Sequence, residues 1–495
     1  MDLFGLLIIV MLFYVVILFL DVTFKSCSHY PYIVFLQKTG LTVGPFQLQW
    51  YTTSLNRMIL KISFWNPKFQ ALWFTFGSWV TICLIVPSIC LVIVSCGQIF
   101  NRMYSVPSTE PVQQQTPILE PAVPGINLPM ADFGYYIIAL MTSTIFHELG
   151  HALAAIREDL HVDGVGMLFV LILPVAYVHL EDIASIPCSK QLRVMSAGVW
   201  HNVVQAMLAY IVLLLLPTFM SPFYSIGYGV SVTNVDQRSG LHSKGGLEIE
   251  DVITHLGDCQ VDDFKTWSEC LKYTLMSTQP GFCLSSEFVQ DHDLTKHVEH
   301  NLDGVLLCCD PNTLTDLCFE YIESSSDPQE LPQHSCLNVR KVTENSLSFC
   351  DLSHHCPYAH CFRPSLNNLT KLVVIKRKMR NDVLFLGRPM DLSFVSVTEY
   401  VPKTDYLSYR LPQSLEKFCK YLLMFAGGLA IINVIPCFYF DGDKITRVLV
   451  NTLLKDHVEL LSVRLAISLC LSLLGSLILV IYLLLGFWSL LGVIK

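Results

Sequence analysis

Seven stretches of this sequence stay apolar for the roughly 20 residues that a helix needs to cross a bilayer, and this repetition limits the fold more than any other feature. They run from Leu3 to Leu20, Ala71 to Cys96, Tyr135 to Ile156, Val162 to Leu180, Val194 to Pro217, Phe418 to Phe440 and Val458 to Leu491. Backbone polar groups in lipid must be satisfied within the chain, so uninterrupted runs of this kind read as helices. The expected fold class is a polytopic α-helical membrane protein with about six to eight membrane segments. Two places leave the count open. Val86-Pro87 could divide the second run into a hairpin, and Val458 to Leu491 is long enough for a span plus a re-entrant helix. With 52% hydrophobic and 15% charged residues, the composition lies well off the globular average, as a membrane chain should. The first run lacks a basic leading region and a clear small-residue cleavage site before Asp21, so it reads as a retained anchor.

One run carries ionisable groups. Met141 to Ile156 reads MTSTIFHELGHALAAI, which sets His147, Glu148 and His151 among apolar or small residues. Four apart on a helix, the two histidines share one face, about 5–6 Å between Cβ atoms, and can clamp one metal ion with Glu148 beside them as a base. A charged group at membrane depth costs roughly 2.5–3.5 kcal/mol, so it seldom persists without a use. The competing reading is a structural histidine pair in a soluble-type core helix. The setting weakens it, because Glu148 is the sole charged side chain from Tyr135 to Ile156.

A candidate third ligand lies far along the chain, where Asn433-Val434-Ile435-Pro436-Cys437-Phe438-Tyr439-Phe440-Asp441-Gly442 closes the sixth run. Pro436 breaks the helix and frees backbone groups that need protein neighbours or cavity water. A carboxylate directly after such a break suits a catalytic zinc site, which commonly has three protein ligands and an open position. His147, His151 and Asp441 would then hold one Zn2+. Asp441 as a simple helix cap is the alternative, with Asp443 the nearer competing ligand and Glu181 the more distant one. At Ser196 to Asn202, small residues permit close helix approach and Asn202 carries an amide to apolar depth. Asn202 either bonds a neighbouring helix or, with Asn433, holds substrate backbone; His201 reads as packing.

From Tyr228 to about Arg410 the composition turns soluble and strand-like. Ten of the 18 cysteines fall between Cys259 and Cys361, a density that argues for a disulfide framework in an oxidising compartment. A zinc ribbon built from Cys350, His354, His355, Cys356, His360 and Cys361 is the alternative. Asn368-Leu369-Thr370 is an N-glycosylation sequon, and with the cysteines it points to a lumenal or extracellular face. The order of a strand at Gly229 to Val235, a glycine turn, Asp251-Val252-Ile253 and a helix at Val261 to Tyr273 is similar to a circularly permuted PDZ module. Its closing strands would be Lys371 to Arg377 and Phe394 to Tyr400, with a Cys-rich insertion at about 285–364. Peptide capture by strand addition is the functional reading, and a structural plug or spacer the other.

Together these motifs resemble the site-2 protease family of intramembrane zinc metalloproteases. His147, Glu148 and His151 match its metal helix; Ala197, Gly198 and Asn202 its small-residue motif; Asn433, Pro436, Asp441 and Gly442 its third motif. The match covers most of Tyr135 to Leu453. Phe438 stands where many members have a second proline, and Phe440 where they have leucine. The resemblance implies Glu148 as catalytic base and one catalytic zinc on His147, His151 and Asp441. Its implied partners are membrane-anchored transcription factor precursors, such as sterol regulatory element binding proteins and stress-activated membrane transcription factors. They would be cut within the transmembrane helix after a prior lumenal cleavage, releasing a cytosolic fragment. The implied place is the Golgi apparatus and endoplasmic reticulum, in cholesterol metabolism and the unfolded protein response.

The expected division is 1–133 for N-terminal anchors, an amphipathic loop and a Pro/Gln-rich linker, 134–224 for the first catalytic half, 225–410 for the lumenal module and 411–495 for the second half. A prenyl protease would also carry HExxH in a membrane helix but would use a downstream glutamate, and it has no need of a Cys-rich module. A non-catalytic client-binding relative is disfavoured by the complete ligand set, and a metal transporter by the lack of a second one. Net charge −9, with no basic run beyond Lys376 to Arg380, argues against nucleic acid. Lys190, Arg193, Lys444 and Arg447 would be cytosolic if the module is lumenal, but the five basic residues from Asp21 to Gln70 spoil that pattern.

Overall fold

The computed structural model describes residues 3–104, 119–242, 245–300, 305–313, 315–322, 331–351, 356–357, 359–367, 369–404 and 406–493. Its helices are α1 (Leu3–Ser26), α2 (Tyr30–Thr39), α3 (Asn56–Ser63), α4 (Pro67–Tyr104), α5 (Phe133–Arg157), α6 (Cys188–Met220), α7 (Phe264–Met276), α8 (Ser286–His292), α9 (Val339–Asn345), α10 (Arg410–Val434), α11 (Asp441–Leu453) and α12 (Leu461–Val493). The chain divides into two compact units, residues 1–214 with 416–495, and residues 215–415.

In the first unit α1, α4, α5, α6, α10 and α12 are long and apolar enough to cross a membrane, which makes the protein a polytopic helical membrane protein. The two open points of the count close the same way. α4 continues through Pro87, and Val458 to Leu491 yields the single helix α12. Proline interrupts one backbone bond, which a membrane helix tolerates where neighbours re-satisfy the freed group.

Val162 to Leu180 departs from expectation. It is not a membrane helix but a hairpin of β3 (Val162–Val170) and β4 (Leu173–Leu180), preceded in chain order by β1 (Leu41–Gly44) and β2 (Gln47–Thr52). The four form one antiparallel sheet in the order β1-β2-β3-β4, with Leu171 at φ 54° in the turn. Apolarity alone cannot separate a strand pair from a helix. What separates them here is contact with a distant segment: Gly166 has no room for a Cβ beneath the Tyr177 ring and the Trp50 carbonyl. β4 is an edge strand, and it packs along α5.

Ala152, Ala154 and Ala155 of α5 bury against Phe74 of α4 and Val194 and Ala197 of α6, so small side chains let three helices meet. Further along α4, Val92 and Ile99 pack with Ile435, Cys437, Leu479 and Tyr482.

The second unit is a β domain. Its strands are β5 (Tyr224–Ser225), β6 (Val230–Val235), β7 (Val252–Leu256), β8 (Cys259–Gln260), β9 (Gly281–Leu284), β10 (Glu299–His300), β11 (Leu306–Leu307), β12 (Asp316–Tyr321), β13 (His334–Asn338), β14 (Phe349–Cys350), β15 (His360–Pro364), β16 (Lys371–Arg377), β17 (Val383–Gly387), β18 (Val395–Thr398) and β19 (Val401–Pro402). One sheet runs β17-β16-β7-β6-β18 with β8 on β7, and a second runs β13-β12-β15-β9-β14. β16 is buried on both faces because its side chains alternate between two cores. Val373 and Ile375 join Trp267 of α7 and Leu256 in one core, and Leu372 and Val374 join Phe282, Phe319 and Phe362 in the other. At its start the Lys371 ammonium donates to the carbonyls of Thr274 and Ser277 at the end of α7, and burial holds its pKa below the ordinary lysine value.

All ten cysteines of this unit are paired, as Cys259–Cys270, Cys283–Cys356, Cys308–Cys318, Cys309–Cys336 and Cys350–Cys361. That removes the zinc-ribbon alternative, since Cys350, Cys356 and Cys361 have no free thiolate. His360 bonds Tyr321 and Ser286 instead. His354, His355 and the sequon residue Asn368 lie outside the described residues.

Candidate metal centre

Where α5 and the break after α10 meet, with α6 behind them, the first unit brings two histidines and an aspartate together. Helix α10 ends at Val434 ahead of Pro436, Tyr439 adopts φ 71°, and α11 restarts at Asp441. Tyr439 stands fully exposed, and the freed Phe438 N–H donates to Ser476 Oγ of α12 at 3.2 Å. A carboxylate in the first turn of α11 sits at the positive end of the helix dipole. Gly442 has no room for a Cβ against the carbonyls of Ile435 and Val434, so glycine is what lets α11 fold back at once.

His147, His151 and Asp441 are each buried and converge. His147 Nε2 lies 3.0 Å and His151 Nε2 3.1 Å from Asp441 Oδ2, and the two nitrogens are 3.2 Å apart. Bonds of about 2.0–2.1 Å to a tetrahedral ion put ligand atoms roughly 3.3 Å apart, so this triangle fits one face of a zinc site. His151 Nδ1–H donates to the Val194 carbonyl of α6 at 2.8 Å, which leaves its Nε2 lone pair free for a metal. On the facing turn of α6, a Cβ on Gly198 would lie 2.6 Å from His147 Nε2. Glycine there makes the space the two imidazole rings occupy.

Glu148 faces a cavity of about 630 Å3 that is also lined by His147, His151, Asp441, Asn433 and strand β4. Its Oε2 accepts from the Val178 N–H of β4 at 3.1 Å. That contact escaped the sequence reading, because it needs the hairpin to exist and involves only backbone on the strand side. Of the expected substrate-holding pair, Asn433 lines the cavity and donates to the Leu429 carbonyl, while Asn202 does not line it. Asn202 is fully buried with its Nδ2 3.1 Å from His147 Nδ1.

The competing ligands go elsewhere. Asp443 accepts from Ser472 Oγ at 2.6 Å and pairs with Arg447, which ties α11 to α12. Glu181 bonds the His161 backbone N–H. His201 bonds the Phe146 carbonyl through Nδ1 and Trp73 Nε1 through Nε2, the arrangement of a packed neutral ring.

The profile of peptidase family M50 matches residues 135–474, a stretch that contains every residue of this centre. The chain belongs to peptidase family M50. It is similar to a protein of Arabidopsis thaliana named membrane-bound transcription factor site-2 protease homolog, with 22% identity over 370 residues, 65% of this chain and 71% of the relative. An M50 peptidase of the site-2 protease type is an intramembrane metalloprotease, and the three motifs that carried the resemblance all fall inside the matched region.

Proposed function

We propose that this M50 peptidase holds one zinc ion on His147, His151 and Asp441 and hydrolyses a peptide bond within or near a transmembrane helix, with Glu148 as general base. The convergence of three buried donor atoms within 3.0–3.2 Å, beside a carboxylate that faces the same cavity, carries this reading. Bound there, the ion would supply Lewis acidity to the scissile carbonyl and to a water. Glu148 takes the proton of the attacking water and returns it to the amide nitrogen as the C–N bond breaks.

The substrate must arrive unwound, since a helix hides its carbonyls in its own hydrogen bonds. The free edge of β4 is the place where it would lie. Val178 turns its N–H away from β3 toward Glu148, so Ala176 and Leu180, two residues to either side, present backbone to that same edge. An added strand there would run past Glu148 and the metal ligands, in a cavity that Asn433 also lines.

Our reading of the substrates is membrane-anchored transcription factor precursors, cut after a prior lumenal cleavage to release a cytosolic fragment. Sterol regulatory element binding proteins and stress-activated membrane transcription factors are the named candidates, and the relative's name supports the general class. Five disulfides support a lumenal β domain, hence a Golgi or endoplasmic reticulum location. In that domain, peptide capture by a PDZ-like module is the role we assign to the β6, β7, α7, β16 and β18 assembly.

The test is cleavage of a single-span substrate by the purified chain in proteoliposomes. Glu148→Gln should lower the rate by about 10²–10⁴-fold while bound zinc stays at the parent's level. Undiminished cleavage by that variant overturns the role given to Glu148, and a parent chain that binds no zinc overturns the metal assignment.

A further inference from the structure

Helix α6 presents Val194, Gly198 and Asn202 to the two histidines at four-residue intervals, one face of the helix. Each position serves differently. Val194 gives His151 Nδ1–H a carbonyl at 2.8 Å, and Gly198 withholds the Cβ that would fill the ligand space. Asn202 sets its amide 3.1 Å from His147 Nδ1, and its Oδ1 is buried with no hydrogen-bond partner.

A histidine that offers Nε2 to a metal carries its proton on Nδ1, and that N–H requires an acceptor. His151 has the Val194 carbonyl. For His147 the one acceptor atom that Asn202 can present is Oδ1, the same atom otherwise left buried at a cost of about 1–3 kcal/mol. With the amide turned so that Oδ1 faces the ring, that oxygen accepts from His147 Nδ1–H, the acceptor a metal-binding ring requires.

We propose that Asn202 is a positioning residue of the metal centre, whose amide oxygen accepts from His147 Nδ1–H and holds that ring in its metal-binding tautomer. This rests on the zinc reading above. It replaces the substrate-holding role expected of Asn202, and it agrees with the absence of Asn202 from the cavity lining. The two ligand histidines are then supported from one helix by two chemically equivalent acceptors, a main-chain carbonyl and a side-chain amide.

The experiment measures zinc retention by the full purified chain against a graded chelator, with the thermal unfolding of each metal-free form beside it. Asn202→Leu keeps the volume and removes the acceptor; it should lose zinc at about 10–100-fold lower chelator. Asn202→Asp keeps an oxygen at the same reach and should hold zinc within about threefold of the parent, as other carboxylate-supported histidines do. The metal-free forms should unfold together. If the leucine chain does not fold, Asn202→Ala takes its place. Equal retention by parent and acceptorless variant overturns the proposal, as does equal loss by Asp and Leu, or a matching fall in metal-free stability, which would make Asn202 a helix-packing residue. A parent without zinc removes the metal reading itself, whereas a parent that holds zinc beside an equally retentive leucine variant removes this proposal alone.

Discussion

In the inserted β domain five disulfides join all ten cysteines, whereas the eight cysteines of the membrane unit are free thiols. The β domain fastens its irregular insertion covalently around two apolar cores that share strand β16. The membrane unit has no hydrophobic drive between its helices in lipid and fastens its centre by close approach instead. Gly150 meets the Ala197 backbone, Gly198 meets the histidines, and Gly442 meets the carbonyls that end α10. Polar side chains then find one another across these narrow contacts. The lesson is that one chain uses cross-links in its strand-rich insert, and missing side chains where helices must approach closely.

Three perturbations sharpen that contrast. The largest effect on the metal centre belongs to Gly198→Ala, which puts a Cβ 2.6 Å from His147 Nε2. Zinc affinity should fall by about 10²-fold or more and proteolysis with it, read by chelator competition and a cleavage assay, because a ligand misplaced by about 1 Å costs that much. The β domain's disulfides should be untouched, as thiol counting would register.

Next is reduction. Opening Cys283–Cys356, which closes a loop of 73 residues, should cost the β domain about 4 kcal/mol, against about 3 kcal/mol for the 11-residue loop of Cys259–Cys270. Limited proteolysis after mild reduction should cut within 281–364 first, while zinc content remains unchanged. Loss of zinc on reduction would break the comparison.

The smallest effect is expected of Val178→Pro. An edge strand accommodates proline, and this one removes the N–H that bonds Glu148. We expect cleavage to slow by about 10-fold, since a single hydrogen bond to a charged group is worth about 1.5–3 kcal/mol, with zinc retained. Full activity would show that β4 does not steer the base.

The legible part of the site was the part carried by local pattern. The four-residue spacing of His147 and His151 needs only a helix, and the Pro436 to Asp441 segment announces a helix break followed by a carboxylate. Asp443 competed for the ligand role because sequence distance could not tell which face of α11 each residue takes; in the structure Asp443 turns to Ser472. Val162 to Leu180 reads as a membrane helix in the sequence because a run of apolar residues carries no sign of its partner. The register of β3 with β2, Trp50 opposite Met167, exists only once a segment more than 100 residues upstream is in place.

By itself the sequence determined that this is a membrane protein with a helix of metal-binding spacing, an acidic third ligand candidate and a cysteine-dense insert, because spacing and composition act locally. Tertiary structure alone decided that a hairpin edge borders Glu148, that Asn202 packs behind His147 and outside the cavity lining, and which cysteines pair. Those depend on groups brought within hydrogen-bonding or bonding distance from far along the chain, where neither hydrophobic period nor motif spacing reaches.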